Sequence, residues 1–359
     1  MDDVSIDNLS GKDWADKIIS ELKVMPNVIV KNRSQVFGYY DHNMLVMFER
    51  TGDHLEKKSE FTPRQRLWYI RCKEVILSTG SIERPIVFGN NDTPGVMLSS
   101  GAKEYMKVYG VLVGRKPIIF TNNDSAYETA IEFKNNGADP LILDTRKEQS
   151  SDLINDAKNK DIKIKFNHAV IKANGYKKVK SAIIGELSED KTTYKNTSSV
   201  ECDCILVSGF WTPSVHLASQ SGNKLKFDKE IDAFVPDKSK QKEITIGSAN
   251  GNFTLQDTLN AGFNAGSQVS KKLNNKDIDI QIPNVTEKKH KTHDKFWCAP
   301  LPKNIKAKRF VDFQNDVSVT DIEIALREGY RSIEHVKRYT TLGMATDQGK
   351  TSNLNGLQL

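Results

Sequence analysis

Apolar residues recur along this chain in two rhythms, one helical and one alternating or continuous. Residues 13–22, DWADKIISEL, have the spacing of an amphipathic helix, and Asn27–Val36 is a Val- and Ile-rich run that reads as a strand. A second strand-like run starts at Leu67 and reaches EVILSTG, where Val75, Ile76 and Leu77 lead into Ser78, Thr79 and Gly80. A buried strand followed by small residues and glycine lets backbone come close to a ligand. Lys116–Lys147 then has the layout of a mononucleotide-binding βαβ half: KPIIFT as a strand, NNDS as a turn, AYETAIEFKNNG as a helix ending on Gly137, and PLILD as a strand ending on Asp144. An irregular polar region is expected around Ser188–Ser199. ECDCILVSGFWTP next closes this nested unit, and KEITIGSANGNFTLQDTLNAGFNAGSQV returns to the first. The order predicts an α/β fold.

The nested unit has a turn unsuited to a nucleotide. Thr121–Ala126 holds no glycine to let amides approach a pyrophosphate, and Asp124 repels phosphate while suiting a helix N-cap. Asp144 stands where a ribose-binding acid is expected, but behind such a turn its role reads as structural. The unit is expected to be nucleotide-like in fold and empty.

Bulk properties narrow the classes. At 359 residues, two or more domains are expected. The net charge of +6 arises from 52 basic and 46 acidic residues that interleave, which reads as a solvated surface and not a nucleic-acid stripe. The basic stretch Lys288–Lys308 reads as a solvated linker. No run has the length of a membrane span and no signal peptide is visible, so a soluble, cytoplasmic protein without membrane or nucleic-acid partners is expected. Cys72, Cys202, Cys204 and Cys298 are too few and scattered for a disulfide scaffold, and Cys202 and Cys204 are expected to share one face of a strand as buried hydrophobes. His290-x-x-His293 with Cys298 lacks a fourth ligand and lies among lysines, so no metal site is assigned. Histidine suits acid–base chemistry near neutral pH, but His42, His216 and His335 read as ordering or packing residues, and no catalytic residue is named.

The tail carries the most specific pattern. Val311-Asp312-Phe313-Gln314 precedes a helix, and Lys337-Arg338 precedes Gly343-Met344-Ala345-Thr346-Asp347-Gln348-Gly349-Lys350-Thr351-Ser352. This resembles a small helical [2Fe-2S] domain in which Asp312, Gln314, Asp347 and Ser352 stand at the four cysteine positions. Oxygen donors do not replace thiolates around iron and sulfide, so no iron–sulfur cluster is expected. The strings VDFQNDV and KRYTTLGMATDQGKTS resemble the third, A3-type domain of the alpha subunit of heterotetrameric sarcosine oxidase. The likeness continues upstream through VFGYYDHN, PRQRLW, STGSIERPIVF and TNNDSAYETA.

That resemblance implies a two-dinucleotide-binding (FAD/NAD(P)-binding, disulfide-reductase-like) fold, incomplete at its N-terminus because no G-x-G-x-x-G precedes Asp13. Residues 1–115 with 245–275 would form the partial first dinucleotide domain, 116–244 the nested domain, 276–305 a linker, and 306–359 the helical domain. Flavin-binding relatives carry Gly-Asp where this chain has Gly247-Ser248, which fits NAD in the site that relatives fill with FAD. Val36, Ser78, Thr79, Gly80, Ala249, Phe253 and Thr254 match the family's pocket, with helix amides near Thr254 facing the pyrophosphate. The resemblance further implies FAD and FMN mainly on a beta subunit, tetrahydrofolate on a domain beyond this sequence, and beta, gamma and delta subunits as partners. The chain then reads as an internal piece, inactive alone, of an enzyme that demethylates sarcosine to glycine with peroxide formation. The alternatives are the alpha subunit of an opine, proline or cyanide-forming amine dehydrogenase, whose cluster cysteines are absent here, and a non-catalytic scaffold for flavoprotein subunits.

Overall fold

The computed structural model describes residues 4–57, 59–61, 63–275, 281–288 and 293–359. The chain divides into two compact units, Met1–Ser81 with Thr212–Lys288, and Ile82–Trp211 with Lys289–Leu359.

In the first unit, the expected helix forms over Gly11–Val24, and Ser10 caps it by accepting a hydrogen bond from the Asp13 amide. The strand expected over Asn27–Val36 starts only at Ser34 and runs to Tyr40. Pro26 favours a turn, and Arg33 lies at φ +52, so the backbone between them cannot stay extended; Ile29 is left 82% exposed. Ser34–Tyr40, Met44–Arg50 and Gln65–Arg71 form an antiparallel sheet. The run from Leu67 to Leu77 therefore splits. Its second half, Val75–Leu77, pairs in parallel with Glu243–Thr245, which is how the late segment returns to the early one. Tyr39, Val75, Leu77 and Ala218 form the core here.

The second unit is built on a five-stranded parallel sheet in the order Lys163–Phe166, Leu141–Asp144, Pro117–Thr121, Cys204–Ser208, Val96–Leu98. Pro117–Thr121 and Cys204–Ser208 are buried at every residue, as parallel strands covered on both faces must be. Helices Ser99–Tyr109, Ser125–Asn135 and Asp152–Asn159 bring Met106, Tyr127, Phe133 and Ile154 onto one face. The antiparallel sheet His168–Gly175, Val179–Leu187, Tyr194–Glu201 covers the other, where Phe88 meets Phe120 edge-on at 5.9 Å. Because Val96–Leu98 belongs to this sheet, the unit starts at Ile82 and not near residue 116.

Three local expectations need correcting. Part of the polar region around Ser188–Ser199 is a strand, Tyr194–Glu201, whose residues are polar because they are mostly exposed at a sheet edge. Cys202 and Cys204 are both buried but pack in different hydrophobic clusters. One strand ends at Glu201 and the next starts at Cys204, so the alternation rule does not carry across the break. The basic stretch is no solvated linker over 293–299. Phe296 and Ala299 are buried in the core, and Cys298 pairs with Val87, because the apolar side chains between the lysines have a sheet to cover. His290 lies outside the described residues, as do 276–280 of the expected linker.

The C-terminal part consists of a short hairpin, Phe310–Asp312 with Val317–Ser318, and helices Val319–Arg327, Ile333–Thr340 and Asn353–Gln358. Val311, Val317, Ile322, Ala325, Val336 and Leu342 pack together with Val87. Among the described residues, no helix is long and apolar enough to cross a membrane.

Candidate functional site

Parallel strands offer ligands their carboxyl ends, where backbone amides and following helices point outward. In the first unit this end is formed by Ser78, Thr79 and Gly80 after one strand and by Gly247–Asn250 after its neighbour, joined through the bond from Ile246 N to Leu77 O at 2.9 Å. Ser78 and Thr79 are exposed. Gly80 has φ +75, and a Cβ there would meet nothing within 4 Å, so the backbone faces open space. Ala249 is fully buried, and Thr254 caps the 20-residue helix Leu255–Asn274 through the Asp257 amide. The fold thus brings Ser78, Thr79, Gly80, Ala249, Phe253 and Thr254 to the ends of two paired strands. Val36 lies on a different sheet, Ser34–Tyr40. The helix amides expected to face a pyrophosphate already have a partner. Leu255 N and Gln256 N donate to the Glu287 carboxylate at 2.8 and 3.1 Å, because an anion from the chain itself suits the positive end of a helix.

The corresponding end of the nested sheet is filled from within. The Arg146 guanidinium lies 2.8 Å from Asp124 and 2.7 Å from Asp144, with all three residues buried. Tyr127 donates to Asp144 at 2.8 Å. Burial opposes the Arg146 charge, but its bonds to Asp144 and the charge of Asp124 outweigh this and raise its pKa; burial, then Asp144, raises that of the Tyr127 phenol. Asp144 is structural, as read from the sequence. Asp124 stands at the N-cap position without capping. Its carboxylate is turned to Arg146, and Asn123 Oδ1 accepts from the Ser125 amide at 3.0 Å instead. Arg146 was not singled out by sequence reasoning; its offset of two residues from Asp144 was the available signal.

The four positions matching cluster ligands form a hydrogen-bonded knot. Asp312 accepts from Gln314 N at 2.9 Å and Gly343 N at 2.7 Å, so one carboxylate ties the hairpin to the later loop. Gln314 Oε1 accepts from Thr346 Oγ1 at 2.7 Å. Asp347 accepts from Gly349 N and Thr351 Oγ1 at 3.0 and 3.1 Å, and Ser352 is buried and joined through its backbone to Gly349 and Gly356. The side chains of Asp312, Gln314 and Asp347 are committed to protein groups and the buried Ser352 hydroxyl is unpartnered; as hard oxygen donors, the four do not fit an iron–sulfur cluster.

The histidines are dispersed. His42 lies in the turn after Ser34–Tyr40 at φ +62, His216 begins the short helix His216–Gln220, and His335 is exposed on Ile333–Thr340. His293 stacks on Phe210 at 4.1 Å. Among the described residues, no group of three His, Cys, Asp or Glu side chains is placed to hold a metal.

Residues 306–359 match the sarcosine oxidase A3 domain. The chain is 36% identical to sarcosine oxidase subunit alpha of Rhizobium meliloti (strain 1021), over 100% of this chain and 35% of the relative. Identity to the same subunit of Corynebacterium sp. (strain P-1) is 33%, over 98% of this chain and 37% of the relative. The chain thus spans about a third of the length of these relatives. In structure it is similar to L-proline dehydrogenase from P. horikoshii, with a TM-score of 0.66 at 19% identity, covering 98% of this chain and 63% of that one. That likeness establishes the fold alone, an α/β architecture followed by a helical domain. In sequence the chain is, from end to end, a relative of the sarcosine oxidase alpha subunit, with that subunit's A3 domain at residues 306–359.

Proposed function

We propose that this chain serves as the NAD-carrying, cluster-free part of the alpha subunit of a sarcosine oxidase. The complete enzyme would oxidise sarcosine to glycine, release peroxide and pass the one-carbon unit to tetrahydrofolate held on a further domain. Flavins would sit mainly on a beta subunit, with gamma and delta subunits completing a cytoplasmic complex. The observation that carries this reading is the A3 domain with Asp312, Gln314, Asp347 and Ser352 at the cluster positions. Amine dehydrogenases of the same architecture would keep cysteines there.

NAD would lie against Ser78, Thr79 and Gly80, where two exposed residues and a glycine facing open space allow close approach, with Ala249 buried behind them and Phe253, Thr254 and Val36 at its margins. A bound nicotinamide supplies hydride transfer. The chain's own residues bind and orient it, and Glu287 must yield the Leu255 and Gln256 amides if a phosphate is to use them. No proton-transfer role is assigned to a side chain of this chain.

The experiment is purification of the tagged full-length protein from its own cells with its bound partners. Sarcosine-dependent peroxide formation, co-purifying flavoprotein subunits, release of NAD on denaturation and no iron are the expected results. An iron–sulfur absorption band, or turnover of proline without turnover of sarcosine, overturns the reading.

A further inference from the structure

The first unit contains a second concavity, at the opposite ends of the strands that carry the proposed dinucleotide site. It is a polar cavity of about 610 Å³ bounded by the segments that enter Val75–Leu77 and Glu243–Thr245 and by the last turn of Leu255–Asn274. Three strand residues at roughly 3.3 Å each place it about 10 Å from Ser78–Gly80. Four lysines line it, Lys73, Lys240, Lys242 and Lys272, together with His42.

The charge in this cavity is unbalanced. Glu74 lines it and pairs with Lys272 at 3.3 Å, and Asp41 lies 3.8 Å from Lys240 near its rim. Lys73 and Lys242 make no ion pair within the described residues. Cys72 adds no negative charge, since burial raises the pKa of its thiol. The partial negative end of the helix explains a lysine in its last turn. It does not explain Lys73 and Lys242, which come from two other segments.

These two lysines are held together by a buried pin. Asn43 is 4% exposed, and its amide nitrogen donates to the carbonyls of both Lys73 and Lys242, at 3.3 and 3.0 Å. Its side-chain oxygen accepts from Lys242 N at 3.1 Å and from the Tyr39 hydroxyl at 2.9 Å. The left-handed backbone at His42 and Asn43, φ +62 and +52, turns the chain so that Asn43 reaches both. A buried, fully bonded residue thus ties the backbones of two exposed lysines together, so that both side chains start from the wall of one cavity, where their like charges favour entry of an anion.

From this we infer that the cavity is a binding site for a small polyanion, a ligand with two or more negative charges such as a diphosphate or a polycarboxylate, distinct from the dinucleotide site. The inference does not depend on the sarcosine oxidase reading.

Titration calorimetry of the full chain at low ionic strength, with inorganic pyrophosphate and citrate as separate probes, tests it. One-to-one binding of either probe is expected, weakening at least tenfold in the Lys73→Gln, Lys242→Gln double variant and also on raising the salt from 50 to 300 mM. Tighter binding of pyrophosphate assigns the site to diphosphates, and tighter binding of citrate assigns it to polycarboxylates. Lys177→Gln with Lys178→Gln, on an exposed turn of the other unit, should leave affinity within twofold. If the double variant does not fold, Lys242→Gln alone should weaken binding at least threefold, and pyrophosphate should shift the His42 ring resonances of the wild-type protein. Absence of saturable binding to both probes, or equal loss in the Lys177/Lys178 control, overturns the inference.

Discussion

The two parallel sheets end in opposite ways. In the first unit the carboxyl ends of Val75–Leu77 and Glu243–Thr245 open into exposed backbone at Ser78–Gly80, with a buried alanine beside them. In the second, the equivalent end is occupied by Arg146 between Asp124 and Asp144, sealed by Tyr127. The same kind of sheet is therefore open at its strand ends in one place and a piece of core in the other. What separates them is where the chain's own charges go: a buried cation fills the strand ends of the nested sheet, whereas in the first unit Glu287 meets the helix amides and Ser78 and Thr79 stay exposed. A buried guanidinium between two carboxylates is satisfied within the protein, and breaking that cluster would leave unpaired buried charge.

The largest test of this contrast is Arg146→Ala. Removing the cation strands two buried carboxylates, so urea unfolding of the second unit should show a loss of about 3–5 kcal/mol, with no gain of NAD affinity. A variant as stable as wild type would mean that the filled end is not held by this ion cluster. The A3 loops give the next test, since they too are held by internal bonds to a buried carboxylate. Asp312→Ala leaves the Gln314 and Gly343 amides without an acceptor and should cost about 2–4 kcal/mol, read as a lower thermal midpoint, while Asp312→Asn should lose less.

At the open end the expected effects on stability are smaller. Gly80→Ala keeps free space around the new methyl group but forces φ +75 on an L-residue, a cost of about 1–2 kcal/mol. If this end receives the dinucleotide, the methyl group should also lower NAD affinity several-fold in equilibrium dialysis; unchanged affinity would remove Gly80 from the site.

The smallest effect is one of pH. Glu83 is buried in the second unit and accepts from Ser100 N, and burial raises its pKa despite the opposing bonds from Ser100. The folded state thus holds this proton more tightly than the unfolded chain does. The contribution is complete below the unfolded value, near 4.5, and is lost as pH rises through the raised folded value. Thermal midpoints of wild type and Glu83→Gln should therefore diverge above about pH 4.5, with the wild type falling relative to the variant. Parallel pH profiles would show that Glu83 does not titrate differently in the two states.

Much of this was legible in the sequence because it depends on local pattern. The βαβ layout of Lys116–Lys147, the absence of glycine in Thr121–Ala126, the return of the late segment to the early one, and the missing cluster cysteines are all properties of short strings. Where the reading failed, a break or a distant partner decided. Residues 27–33 are rich in Val and Ile yet not a strand, because Pro26 and the left-handed Arg33 interrupt the extended backbone. Cys202 and Cys204 part company across a strand break. Glu287 takes the helix amides, although it lies 32 residues from Leu255.

By itself, then, the sequence determined the fold class, the nucleotide-like but glycine-free turn and the oxygen donors at residues 312, 314, 347 and 352, since each follows from residue type at fixed spacing. Only the tertiary structure decided which groups meet: Arg146 with Asp124 and Asp144 in the nested sheet, Asp312 with the Gly343 amide in the A3 loops, and Asn43 with the backbones of Lys73 and Lys242 at a cavity. Charges and hydrogen bonds are satisfied by whichever group is near in space, and nearness across tens or hundreds of residues is not encoded in any local pattern.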